Sequence, residues 1–215
     1  MTIAIIDYDM GNLRSVQKAL ERVGASTIIT RDPAVIAGAS AAVLPGVGAF
    51  GMCMQNLNGY GLADPVRAFV ASGRPFLGIC VGMQILFDES DEFGRVEGLG
   101  ILPGRVTRFP ADPEGHRKVP QMGWNTIAIR RRAPHLAGVP DDAYVYFVHS
   151  YYAEAANEGD VATTTEYGRQ FTSAVWRDNL FATQFHPEKS QAVGLRVLAN
   201  FAGLVAATNG TAVAS

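Results

Sequence analysis

The sequence predicts an α/β fold with an open, mixed and mostly parallel central sheet flanked by helices. Two observations carry this expectation. From residue 2 to residue 80 short apolar or β-branched runs alternate with helical patterns, as βα units of a parallel sheet do. Beyond residue 99 the pattern changes to short runs of alternating or β-branched character, which suggests antiparallel strands added to that sheet.

TIAIID at residues 2–7 is a β-branched run suited to a buried strand, and after Gly11 a helical stretch runs from Asn12 to Val23. Apolar runs at 25–29 and 41–45 follow, separated by Asp32-Pro33 and a short helical candidate. Past the glycine-rich loop PGVGAFG comes a helix over 63–72, then PFLGI at 75–79, a buried-strand pattern ending at Cys80. VGMQILFDES, which follows, reads as helix. ILPGRVTRF, NTIAI, YVYFV, VATTTE, TSAVW and FATQF then read as antiparallel strands. Gln191 to Val205 has helical spacing. The expected organisation is one domain over residues 1–206, with 207–215 a small, polar tail that frays. No internal repeat or linker interrupts it.

A chain of 215 residues can build one large core. Its net charge of −2, from 18 basic and 20 acidic residues, gives no electrostatic reason to expect nucleic acid or an anionic membrane as partner. The start, MTIAIIDYDMGN, lacks the basic and longer apolar regions of a signal peptide, and no apolar stretch reaches the roughly 18–20 residues of a membrane span. Cys53 and Cys80 form neither a metal spacing nor a disulfide framework. The expected compartment is a reducing cytoplasm, with no metal site.

Three segments carry chemistry. In Gly78-Ile79-Cys80-Val81-Gly82 a cysteine sits where strand gives way to helix, with glycine two residues away on each side. This has the form of a nucleophile elbow, a tight bend that exposes the side chain and leaves little room for neighbouring Cβ atoms. Helix N-terminal amides would favour the thiolate. A buried core thiol is the plainer alternative.

In Gln184-Phe185-His186-Pro187-Glu188 an extended backbone would project His186 and Glu188 to one side, with Glu188 orienting the ring and His186 moving the proton. Alone, such a turn is more often a solvated loop; beside an elbow cysteine it completes a triad by role. Pro45-Gly46-Val47-Gly48 ends the third strand candidate. Its amide near Val47 or Gly48, with that of Val81, could make an oxyanion hole. Gly46, Gly48 and Gly51 also spell the G-x-G-x-x-G of dinucleotide-binding turns. That match is weak, because it follows the third strand and lacks a strand ending in an acid some 20 residues on.

GICVGMQ, PGVG and QFHPEKS together resemble a class I glutamine amidotransferase, a flavodoxin-like α/β domain, over nearly the whole chain. Within that class IAIIDYDMGNL, MGWN at 122–125, YFVHSYY at 146–152 and HPEKS are similar to the glutaminase subunits of imidazole glycerol phosphate synthases. The resemblance implies that Cys80 attacks the side-chain amide of L-glutamine, that His186, oriented by Glu188, protonates departing ammonia, and that water hydrolyses the thioester. It implies an oxyanion hole from Val47, Gly48 and Val81. Gln84, Glu92, Ser150 and Tyr151 would hold the glutamine backbone groups, and no cofactor or metal is required. It implies a heterodimer with a cyclase subunit that receives the ammonia for histidine biosynthesis, docked on Gly11, Asn12, Trp124, Tyr146 and Lys189.

Plainer roles stand beside these: Asn12 a helix N-cap, Lys189 a solvated lysine, Trp124 and Tyr146 core or rim aromatics. Gly46 and Gly48 flank Val47 and suggest a peptide flip that withholds the oxyanion amide until the partner binds. Val81, where leucine is common, and Met10 are small departures from the family pattern. Cys53, His116, His135 and His149 match no reacting position and read as structural or solvated, with His149 shaping the site behind Ser150. The rival readings are a glutaminase serving another synthase, a cysteine peptidase or γ-glutamyl hydrolase, and a non-catalytic scaffold.

Overall fold

The computed structural model describes residues 1–112 and 117–211. Its central strands are short and apolar because they are buried on both faces. Strands β1 (Ile3–Ile6), β3 (Ala41–Gly46), β4 (Phe76–Cys80) and β13 (Leu180–Thr183) have no exposed residue. With β2 (Thr27–Thr30) they form a parallel block in the order β2-β1-β3-β4-β13. Helix α1 (Leu13–Arg22) packs beside the last helix, α6 (Gln191–Thr211), while α2 (Pro33–Gly38) and α3 (Phe50–Gly59) pack beside α4 (Ala63–Ala71). The observed class is therefore the mixed, mostly parallel sheet with flanking helices that the alternation predicts.

Beyond β13 the sheet continues through antiparallel β12 (Gln170–Arg177), β10 (Tyr151–Ala155) and β7 (Leu102–Arg108), then β5 (Phe87–Ser90) and β6 (Val96–Glu97). β11 (Val161–Glu166) pairs with β12 and with β8 (Gln121–Ile129), which forms a hairpin with β9 (Ala143–His149).

Three local expectations are corrected. VGMQILFDES is not one helix: a four-residue turn, α5 (Val81–Gln84), gives way to β5, which pairs in parallel with β7 at Phe87 and Leu102. Helix α3 is absent from the sequence reading, since Gly51, Asn56, Asn58 and Gly59 are weak helix formers and Ala49 offers no capping side chain. The FATQF run forms β13, which is antiparallel to β12 but parallel to β4, with Ile79 opposite Thr183. At the other end α6 runs through Thr211, past residue 206, and residues 212–215 lie outside the described residues.

Candidate active site

Cys80 ends β4 with φ 56° and ψ −115°, a conformation that costs a non-glycine residue about 1–3 kcal/mol and that the surrounding structure must hold in place. Gly82 and Gly46 permit it. A Cβ on Gly82 would be driven into the Leu44 carbonyl, and one on Gly46 would lie 2.5 Å from the Gly82 nitrogen. The bend thus closes directly against the end of β3. α5 has only four residues, so its first amides, including that of Val81, act locally rather than through a long helix dipole.

His186 follows β13. Its backbone is extended (φ −94°, ψ 100°), because the following proline disfavours the helical region, and Pro187 then opens a 3₁₀ turn over Pro187–Lys189. That turn, rather than a continuous extended segment, brings the Glu188 carboxylate to 2.8 Å from His186 Nδ1. Both side chains are almost fully buried. The segment is tied to β9 by Ser190, whose hydroxyl donates to the His186 carbonyl at 2.7 Å and accepts from the Tyr146 amide at 3.0 Å. His186 Nε2 has no other hydrogen-bond partner and is left for the Cys80 sulfur. Burial alone would push the imidazole down. The charge and hydrogen bond of Cys80, together with Glu188, outweigh burial and push it up to about 10.

These groups open on a cavity of about 250 Å³ lined also by Val47, Gly48, Val81, Gln84, Glu92, Ser150, Tyr151 and Lys189. The volume is below the roughly 300–1,000 Å³ of drug-sized pockets and suits a smaller substrate. The Gln84 amide donates to the Tyr151 carbonyl (2.8 Å) and to Gln184 Oε1 (3.0 Å). His149 Nδ1 lies 2.8 Å from the same carbonyl, whose lone pairs are then both in use, which leaves the Tyr151 N–H as the free backbone group of that residue toward the cavity. Glu92 accepts from the Phe50 amide at 2.6 Å, and its carboxyl is raised by burial. That bond also bears on the glycine-rich loop. A strand and a helix do flank it, but a carboxylate already caps the helix where a pyrophosphate would sit, which removes the dinucleotide reading.

Trp124, Tyr146 and Lys189 come together. Trp124 and Tyr146 face each other in the β8–β9 register with rings 6.0 Å apart, and Lys189 Nζ lies 5.9 Å over the Tyr146 ring. Trp124 is 46% exposed, so it is no core residue. Asn12 is the N-cap residue of α1, but its side chain makes no capping bond and is exposed. Gly11 and Asn12 follow β1, and Gly11 lies against Pro45.

Gln184 is a site residue that sequence reasoning missed: it is fully buried, with its amide 3.7 Å from Cys80 Sγ. Its place in QFHPEKS, two residues before the histidine, was the available signal. His149 lies behind Ser150 as expected, His135 is buried against Phe181, and His116 lies outside the described residues.

The family model for class-I glutamine amidotransferases matches residues 4–203. The chain is 59% identical to the imidazole glycerol phosphate synthase subunit HisH of Syntrophotalea carbinolica, over 93% of this chain and 98% of that protein. It is 58% identical to the subunit of the same name from Geobacter metallireducens, over 94% and 97%. Among solved structures, a glutamine amidotransferase superposes with a TM-score of 0.71 at 22% identity, covering 94% of this chain and 98% of that one. PurLQS from Thermotoga maritima does so at 0.72 and 15% identity, covering 94% and 98%. At these identities the two structures show a shared fold.

Proposed function

Because the chain belongs to the class-I glutamine amidotransferase family, we propose that it is a glutaminase subunit of imidazole glycerol phosphate synthase, supplying ammonia to a cyclase subunit for histidine biosynthesis. The relatives above carry that subunit name, and their likeness extends over nearly the whole chain. The observation that carries the chemistry is the buried His186–Glu188 pair, 2.8 Å apart, whose free Nε2 is left for the sulfur of an elbow cysteine.

Cys80 attacks the side-chain amide carbon of L-glutamine, and the oxyanion that forms accepts from the amides of Val81 and of the loop at Val47 and Gly48. His186, protonated at neutral pH, gives its proton to the departing ammonia while Glu188 holds the ring. Water activated by the now neutral His186 hydrolyses the thioester, and glutamate leaves. Gln84, Glu92, Ser150 and Tyr151 line the cavity where the amino-acid end would lie, so they are its candidate binding groups. Lys189 belongs both to the cavity wall and to the cluster with Tyr146 and Trp124, which supports docking of the cyclase at the cavity mouth. Among the described residues no helix is long and apolar enough to cross a membrane. Two free cysteines fit a reducing cytoplasm.

The test is glutamate release from glutamine by the chain alone and with a cyclase subunit carrying its nucleotide ligand, using Cys80→Ala as the blank. Release that the loaded cyclase stimulates and Cys80→Ala abolishes is the expected result. Release indifferent to the cyclase would remove the pathway assignment; no release under either condition would remove the enzyme.

A further inference from the structure

Gln184, the residue after β13, has no exposed surface, and the reaction above gives it no task. Its backbone N–H donates to the Ser173 carbonyl at 2.9 Å, which fixes where its side chain starts. Burying a carboxamide is costly unless both of its ends find partners. Among the described residues the Gln184 oxygen meets the Gln84 amide at 3.0 Å, and the only acceptor that its NH2 group reaches is the Cys80 sulfur, at 3.7 Å.

Which end of the carboxamide faces the sulfur is set from outside. The Tyr151 carbonyl can only accept, so the end of Gln84 that lies 2.8 Å from it is the NH2 group. The second proton of that group goes to Gln184 and requires an oxygen there. The Gln184 NH2 is then left for Cys80. Turning the Gln184 carboxamide over would set two NH2 groups against each other and bring its oxygen to the sulfur. One backbone carbonyl thus fixes the polarity of the chain from Tyr151 through Gln84 and Gln184 to Cys80.

A thiol is a weak acceptor, whereas a thiolate takes a charge-assisted bond. The sulfur also faces His186, which, against burial, the charge and hydrogen bond of Cys80 and the Glu188 carboxylate keep protonated. We propose that Gln184 is a catalytic residue whose side-chain NH2 stabilises the Cys80 thiolate, and that Gln84 and the Tyr151 carbonyl are the positioning groups that aim it. The proposal rests on the glutaminase reading and deepens it. The contact acts twice. It holds the nucleophile ionised before attack. When the C–S bond of the second tetrahedral intermediate breaks and its electron pair returns to sulfur, the same NH2 receives the charge.

The experiment follows alkylation of Cys80 by iodoacetamide from about pH 5 to about pH 10 in the wild type, Gln184→Met and Gln84→Met, beside glutamine hydrolysis by each in complex with the loaded cyclase subunit. Methionine keeps nearly the length of glutamine and has no donor. Of the other titratable groups near the sulfur, burial raises Tyr8 and Cys53 and lowers His149, and Glu92 and Lys189 line the same cavity. All are common to the three proteins, so the difference between profiles isolates the carboxamide. Loss of one charge-assisted bond changes the ratio of thiolate to thiol about tenfold. A more basic thiolate is also the better nucleophile, with a Brønsted slope of about 0.4–0.5. Gln184→Met should therefore alkylate about three- to fourfold more slowly on the acid limb and about threefold faster on the alkaline plateau, so that its profile crosses that of the wild type. A merely structural defect lowers both limbs and gives no crossing. Gln84→Met, which frees the Gln184 carboxamide to turn, should move the profile the same way by less, and Gln184→Met should lower hydrolysis about three- to tenfold. Superposed profiles, or parallel losses on both limbs, would overturn the proposal, and an unmoved Gln84→Met profile would overturn the aiming role. Hydrolysis that survives Cys80→Ala would overturn the glutaminase reading beneath it, a distinguishable failure.

Discussion

His135 should make the fold acid-labile, by an amount its surroundings fix. The ring stacks on Phe181 at 4.3 Å and 2°, lies near Phe201 of α6, and neither ring nitrogen has a hydrogen-bond partner. Burial pushes it down from 6.5 to about 4. A histidine depressed in the folded state contributes stability that is present above its unfolded value and lost as pH falls toward the folded one. At pH 5 the unfolded chain holds nearly a full proton at this position and the folded chain about a tenth of one, so the loss relative to neutral pH integrates to about 2 kcal/mol. Below pH 4 it approaches about 3 kcal/mol. Urea unfolding of the wild type and of His135→Leu at pH 7.5 and pH 5 isolates the effect, because the cost of repacking is common to both pH values. The wild type should lose about 2 kcal/mol more than the variant between them. Equal losses would mean that His135 is solvated or paired in solution and that the burial argument fails.

Three further outcomes follow from the site. In Cys80→Ala the sulfur that raises His186 is gone, so burial should pull the imidazole well below 10, read by NMR titration of the ring; a value still near 10 would assign the shift wrongly. Ser190→Ala removes one of two ties between the turn and β9, the His186 amide still reaching the Tyr146 carbonyl, and leaves the Tyr146 amide without its hydroxyl acceptor, which should cost about 1–3 kcal/mol in denaturant melts and lower kcat with it; stability and turnover like the wild type would show that the tie is dispensable. Gly82→Ala drives a methyl into the Leu44 carbonyl and should abolish glutamine turnover while Gly203→Ala, where no atom lies within 4 Å, is tolerated.

What the sequence reveals of this site and what it hides divide along a physical line. Local chemistry was legible in part: glycine two residues either side of Cys80 announced the bend, and Pro187 announced the extended backbone at His186 but not the 3₁₀ turn that follows it. The parallel strands were legible because strands buried on both faces read as continuous apolar runs. The same property misled at VGMQILF, since a continuous apolar run cannot tell buried helix from buried strand. There the pairing of Phe87 opposite Leu102 decided for strand after a single turn of helix. Helix α3 was hidden by poor intrinsic propensity; burial of Phe50, Met54 and Leu57 and the Glu92 carboxylate on its first turn outweigh it. Gln184 was hidden for another reason. Its amide meets Cys80 across 104 residues of chain, so its place two residues before His186 pointed to the site but not to the contact.

The orientation of β13 is what assembles the site. Cys80 ends β4 and His186 lies three residues past β13, and because these neighbours run parallel, with Ile79 opposite Thr183, both residues emerge at the same edge of the sheet. Were β13 antiparallel to β4, as the sequence reading had it, His186 would emerge at the opposite edge, about a strand's length or ~16 Å away from the sulfur it must serve. β3 lies on the other side of β4, also parallel, with Gly46 opposite Cys80, so the loop at Val47 and Gly48 opens at that edge too. Three consecutive parallel strands thus deliver His186, Cys80 and the Val47–Gly48 loop to one crevice at their carboxyl ends, where open α/β sheets bind ligands. The antiparallel extension supplies the opposite wall through Ser150 and Tyr151, which places the divide between the two halves of the sheet at the cavity itself.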